Sequence, residues 1–352
     1  MTSVILFGTF FVLLAIGVPI GIALGSASLV TIAYIPFLNF DLYALGLISG
    51  IDSFTLIAVV LFTLAGNVMS QGGISRRLVR VADHLFGRAP GDLGTVTIMA
   101  CLFFAAISGT GSATVAAIGL AMIPSLVQRG YDRAYAGAMV ASAGGLGVMI
   151  PPSVVMIVYA VSAGVSVTAL FMAGVVPGVV IALTLIAYNV LARRGAQAPA
   201  ELMPSTGWRE TVAAINDAKL AILMPLVVLG GIYAGIVTPT ESAAVAVVYA
   251  LAVSFFVYRE LPLSLLPRIM LESALLVSAV LVIIGASVAF GRIIALEQIP
   301  LRLSEFVLAL TQSKTVVLLA AIALLLVVGT FLETLAAIVI LTPVLLPVMT
   351  AL

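Results

Sequence analysis

Long apolar runs separated by short polar joints make up almost the whole chain. The runs extend approximately from Val4 to Ala33, Phe54 to Met69, Thr95 to Val127, Ala134 to Ala163, Val167 to Ala192, Leu220 to Val237, Ser242 to Val257, Ser273 to Ile294 and Thr315 to Thr350. A bilayer core about 30 Å thick is crossed by roughly 20 apolar residues in helix, and most of these runs approach or exceed that length. They lack the sustained alternation of barrel strands, so the pattern predicts membrane helices. Composition agrees. Of 352 residues, 63% are hydrophobic and 8% charged, too little polar material to cover a soluble globule. The expected fold is an all-α polytopic membrane protein.

Three interruptions break the apolar runs. The first is Ser108-Gly-Thr-Gly-Ser112, which divides Thr95–Val127 into arms of 13 and 15 residues, each too short to cross alone. Arg88 and Asp92 flank one arm, and Arg129, Asp132 and Arg133 the other. Two basic flanks on one side of the membrane require the segment to turn back at its tip as a re-entrant helical hairpin; the alternative is one long tilted helix with a flexible middle. The second interruption repeats the first 220 positions later: Gly109-Thr110-x3-Thr114-x-Ala-Ala-Ile118 becomes Gly329-Thr330-x3-Thr334-x-Ala-Ala-Ile338, and Pro19 aligns with Pro239. Polar breaks in matching segments point to a secondary transporter built from internal repeats. The third is Gly144-Gly-Leu-Gly-Val-Met-Ile-Pro-Pro-Ser153, where two prolines remove backbone donors and disfavour helix at Ile150. Carbonyls freed there need a partner, either a dehydrated cation or the local packing of a structural kink.

A hard monovalent cation prefers oxygen ligands, and neither region offers Cys or His for a softer metal. Hydroxyls of Ser108, Thr110, Ser112 and Thr114, with carbonyls from Gly144 to Pro151, could replace its hydration shell; sodium or a proton is the expected coupling ion. The same hydroxyls also serve ordinary helix packing. Glu333, in the second interruption, would be costly to bury as an isolated charge and is a candidate functional residue. Thr238-Pro-Thr-Glu241 has the pattern of a helix-capping box. The net charge of +1 is spread over joints with no basic face, so nucleic acid is not an expected partner. Arg76, Arg77, Arg80 and Arg88 place their joint on the cytoplasmic side. His84 falls in that charged joint, far from a serine nucleophile, and no zinc motif or phosphate loop occurs, so enzyme classes are excluded. Cys101 is expected to be buried and inert, Trp208 to anchor at the interface, and the first run to stay in the mature protein as a membrane segment.

The chain resembles the large membrane subunit of tripartite ATP-independent periplasmic (TRAP) transporters. The likeness rests on Ser108-Gly-Thr-Gly-Ser-Ala-Thr114, Gly130-Tyr131, Gly144 to Ser153, Phe171-x-Ala-Gly-x-x-Pro-Gly178 and Gly235-Ile-Val-Thr-Pro-Thr-Glu241, in order along essentially the whole sequence. The resemblance implies sodium-coupled uptake of an organic acid (C4-dicarboxylate, keto acid or sugar acid) across the bacterial inner membrane. It implies a small membrane subunit and a periplasmic solute-binding protein as partners, no cofactor beyond Na⁺, and an inverted-repeat elevator-type fold. Carried onto this sequence, sodium falls at Ser108, Gly109, Thr110, Ser112 and Thr114 with Gly144, Gly145, Gly147 and Pro151. A second ion falls at Gly329, Thr330, Glu333 and Thr334, and substrate at Ser112, Ser153 and Thr334. The implied organisation is scaffold helices over 1–93, a hairpin and broken helix over 94–192, a linker over 193–219, scaffold helices over 220–313 and a second hairpin over 314–352. Relatives follow that hairpin with another proline-containing break, which the offset puts near positions 364 to 373, beyond Leu352, leaving a fragment or an incomplete second site. A standalone ion-coupled anion carrier and a structural subunit of a membrane assembly are the alternatives.

Overall fold

The computed structural model describes residues 2–35, 39–86, 92–192, 207–310, 313–330 and 332–350, and among these every regular element is helical. Among the described residues five helices are long and apolar enough to cross a membrane, or up to seven if each of two bent pairs is one span. The chain divides into two compact units, Met1–Leu56 with Val158–Gly164 and Ala274–Leu352, and Ile57–Ile157 with Val165–Ser273.

The first apolar run is two helices. α1 (Thr2–Ala15) and α2 (Ile20–Tyr34) pack on each other across a turn at Gly17, whose φ of +84° is a left-handed conformation that glycine adopts without a Cβ penalty. Next come α3 (Phe40–Ile51), capped by the Asn39 side chain, α4 (Phe54–Gln71) and α5 (Ile74–Phe86). α5 carries Arg76, Arg77, Arg80 and His84 of the expected charged joint; its apolar stripe of Ile74, Leu78, Val81 and Ala82 is buried, so the joint is an amphipathic helix. Arg88 lies outside the described residues.

α6 (Asp92–Ser108) and α7 (Gly111–Gln128) pack together, and α7 alone is long enough to span, longer than its expected arm. Gly130 (φ +78°) closes α7: its amide donates to Val127 and that of Tyr131 to Leu126. α8 (Arg133–Gly144), α9 (Leu146–Met149) and α10 (Val154–Ala163) form the broken helix, bent by 49° at 150–153. α11 occupies Val167–Ala192, the expected run.

Of the expected linker, 193–206 lies outside the described residues. The remainder is a helix, α12 (Trp208–Asp217), which leads into α13 (Lys219–Tyr233). α14 (Pro239–Ala252) starts with the expected box: Thr238 N donates to Glu241 Oε2 (2.8 Å), Glu241 N to Thr238 Oγ1 (3.3 Å), and Pro239 takes the first turn. A π-helical turn, Val253–Val257, follows. α15 (Leu266–Leu296), α16 (Ile299–Leu310), α17 (Lys314–Val328) and α18 (Thr334–Thr350) complete the chain. α6 ends at Ser108 and α17 at Val328, 220 positions apart; a single left-handed residue joins α4 to α5 (Gly73) and α15 to α16 (Gln298).

In the first unit the core gathers Leu6, Phe10, Leu24, Phe290, Ile293 and Ile340, with Phe7 edge-on to Phe290 at 5.7 Å. In the second it gathers Val96, Ile98, Phe104, Ile118, Leu146 and the buried Cys101 around α6. The foot of α6 is held by polar contacts. Gly94 N donates to Tyr131 Oη (3.1 Å), and Tyr135 Oη donates to Asn189 Oδ1 (3.1 Å), which satisfies an asparagine 1% exposed on an otherwise apolar helix.

Candidate ion and substrate site

Within the second unit, the tip joining α6 to α7 lies directly against the break joining α9 to α10. Gly109 (φ +64°) turns the chain, and its carbonyl accepts the amide of Val154 at 3.0 Å. The Thr110 carbonyl is the focus of the tip. Thr114 Oγ1 donates to it at 2.9 Å and Ser108 Oγ lies 3.3 Å away, while the two hydroxyls are 2.9 Å apart. Ser108 and Thr114 are buried, at 4% and 0% exposure, and Thr110 half-buried. Three oxygens from one tip thus cluster without a carboxylate, a donor set that fits a hard monovalent cation.

Small residues make the approach possible. A Cβ on Gly147 of α9 would lie 2.5 Å from both the Thr110 carbonyl oxygen and Thr114 Oγ1, and one on Gly111 would lie 3.2 Å from the Gly144 carbonyl oxygen. Gly66 of α4 completes the packing, because its Cβ would lie 3.2 Å from Ser108 Cα. Sequence reasoning missed Gly66. Its one signal is the neighbouring Asn67, a polar residue in an apolar run, which donates to Ser273 Oγ at 2.8 Å.

The other expected residues distribute as follows. Gly144 is buried beside the tip, Pro151 is buried in the break, and Gly145 is exposed. Ser112, in the first turn of α7, is exposed. Ser153, expected to face substrate, is fully buried: it donates to the Val148 carbonyl (2.7 Å) and accepts from Met156 N (3.3 Å), bracing the break from inside. Glu333 is not a buried charge. It is exposed and caps α18, with Oε2 accepting from Leu335 N (3.0 Å) and Ala336 N (3.3 Å). The α18 N-terminus supplies the donors that make a carboxylate favourable in an apolar run. Gly329, Thr330 and Thr334 are also exposed, and Thr330 Oγ1 donates locally to Val327. Glu333→Ala is therefore expected to cost about 1 kcal/mol and to speed amide exchange in the first turn of α18. Unchanged exchange there would refute the capping role.

A profile of the family described as "Tripartite ATP-independent periplasmic transporter, DctM component" matches residues 7–352. The chain belongs to this family. Among curated TRAP relatives it is 45% identical to the "Isethionate TRAP transporter permease protein DctMQ" of Oleidesulfovibrio alaskensis, over 98% of this chain and 54% of that protein, so it spans about half of that relative's length. It is 41% identical to the "C4-dicarboxylate TRAP transporter large permease protein DctM" of Pseudomonas aeruginosa, over 84% of this chain and 69% of the relative. It is 36% identical to the "Sialic acid TRAP transporter large permease protein SiaM" of Vibrio cholerae, over 96% and 79%. These TRAP relatives are named as permeases rather than enzymes.

Proposed function

We propose that the chain is the large permease subunit of a sodium-coupled TRAP system importing an organic acid across the bacterial inner membrane, with a small membrane subunit and a periplasmic solute-binding protein as partners. The observation that carries this reading is the meeting of the α6–α7 tip with the α9–α10 break around the Thr110 carbonyl. Irregular backbone at membrane depth survives where it is buried in protein or lines a wet cavity, and ion and substrate sites have that character. The buried hydroxyls of Ser108 and Thr114 and the Thr110 carbonyl hold the coupling ion, Gly109, Gly111 and Gly147 admit the backbones around it, and Ser153 fixes the break. The C-terminal end of α6 adds negative potential for a cation.

The substrate is an anion, carboxylate or sulfonate, as the names of the relatives suggest. The N-terminus of α7 provides partial positive charge without a buried Lys or Arg, and the exposed Ser112 in its first turn provides a hydroxyl. In this reading α6–α7 and α17–α18 are each a re-entrant hairpin.

The test is a sodium titration of uptake by the full reconstituted complex, with isethionate, a C4-dicarboxylate and sialic acid as substrates. Ser108→Ala and Thr114→Ala are each expected to raise the half-saturating sodium concentration roughly tenfold, the loss of one oxygen ligand to a charged group. Uptake that is flat with sodium in the unsubstituted protein, or unchanged in both variants, would refute the site. Uptake by the chain without any solute-binding protein would favour a standalone carrier.

A further inference from the structure

We propose that Arg292 and Ser49, together with Asp52, bind the zwitterionic headgroup of a phospholipid at one face of the membrane. Arg292 lies near the C-terminal end of α15, inside a helix apolar enough to span. Between Glu272 and Arg292 the nineteen residues 273–291 carry no charge. At 1.5 Å per residue they cover about 28 Å, close to the roughly 30 Å of hydrocarbon in a bilayer, so Arg292 falls at the boundary where lipid phosphates lie.

An arginine at that depth needs an anion or a set of acceptors. Its one polar partner among the described residues is neutral: Arg292 Nη2 donates to Ser49 Oγ at 2.6 Å, and no carboxylate lies within ion-pair distance. The half-buried guanidinium keeps further donors, suited to the paired oxygens of a phosphodiester. The surroundings separate lipid from a simple anion. Asp52 caps α3 one turn beyond Ser49, exposed, where it would repel a carboxylate but attract an ammonium. Leu45 and Ile48 on the same helix are 59% and 62% exposed, an apolar flank for acyl chains. A phosphate next to a cation, an amine next to an acid and chains on a greasy face describe phosphatidylethanolamine.

The experiment uses the permease purified with any small subunit that accompanies it, stripped of lipid in detergent and titrated with phosphatidylethanolamine, with native mass spectrometry counting bound lipid. One tightly held lipid is expected in the unsubstituted protein, with affinity falling roughly tenfold in Arg292→Gln, about the loss of one charge-assisted hydrogen bond. Ser49→Ala, which leaves the charge in place, should weaken it about threefold and serves if the arginine variant does not fold. Asp52→Asn should weaken phosphatidylethanolamine while leaving phosphatidylglycerol binding unchanged. Equal lipid retention in Arg292→Gln (or in Ser49→Ala, where that variant stands in), displacement by millimolar inorganic phosphate, or loss of the small subunit with an unchanged lipid count would each overturn the proposal. The last would assign the guanidinium to an acidic group on a protein.

Discussion

If the proposed sodium coupling holds, Gly147→Ala is expected to abolish most sodium-dependent uptake while leaving the protein folded. The added Cβ would sit 2.5 Å from both the Thr110 carbonyl oxygen and Thr114 Oγ1, well inside van der Waals contact, and neither atom is the free end of a flexible side chain. Thr110 O already accepts the Thr114 amide (3.3 Å) and hydroxyl (2.9 Å), and Thr114 is fully buried, so the strain is relieved only by moving α9 away from the tip. Overpacking of this kind costs about 1–3 kcal/mol, enough to weaken ion binding roughly tenfold or more when it falls on the proposed ligand cluster. Gly145→Ala is the control. That glycine is exposed, and the contact its Cβ would make, with the Ser142 carbonyl at 3.2 Å, lies outside the tip. The measurement is initial uptake against sodium concentration in proteoliposomes, with thermal unfolding of each variant alongside. Equal sodium curves for the two variants would show that α9 does not define the site.

This contrast between two neighbouring glycines also marks where sequence reading reached its limit. Both stand in one motif, and the break itself was legible because prolines and glycines punctuate an apolar run by known backbone chemistry. Which glycine touches the tip depends on the close approach of α9 to residues some 35 positions earlier, which no local signal encodes; Gly66, still farther away in sequence, was invisible for the same reason. α11 was read at its observed bounds because Val167–Ala192 is one uninterrupted apolar stretch. The Val4–Ala33 run was read as continuous because its turn, Gly17-Val18-Pro19, contains nothing charged, yet a left-handed glycine and a proline suffice to fold it back. α5 and α12 were read as polar joints since their charges dominate, although their buried residues follow helical spacing. The capping of α18 by Glu333 was not legible, because an acid in an apolar run does not by itself show that a helix starts one residue later and turns the amides of Leu335 and Ala336 toward it.

Arg77→Ala is expected to be the most destabilising single substitution on the amphipathic face of α5. The Arg77 side chain is 14% exposed and makes ion pairs to Glu260 (2.8 Å) and Asp217 (3.3 Å), a hydrogen bond to the Gly73 carbonyl (3.0 Å) and a stack on Tyr258 at 3.6 Å. Burial works against its charge, but the two acids outweigh it and hold the guanidinium above its ordinary pKa, so its charge persists at any working pH. Removing one partner of a buried pair typically costs about 3–5 kcal/mol; with Asp217 40% exposed and able to recover water, about 2–3 kcal/mol is expected here. Arg77→Lys keeps the charge but loses the planar stack and the fork that reaches two acids, and should recover at most about half. Amide exchange along α12 gives a direct readout, because Asp217 ends that helix. In Arg77→Ala its amides should lose protection at lower temperature than in the unsubstituted protein, with global unfolding following. A melting curve superimposable on that of the unsubstituted protein would mean that Arg80, 3.1 Å from Asp217, carries the attachment of α12 by itself.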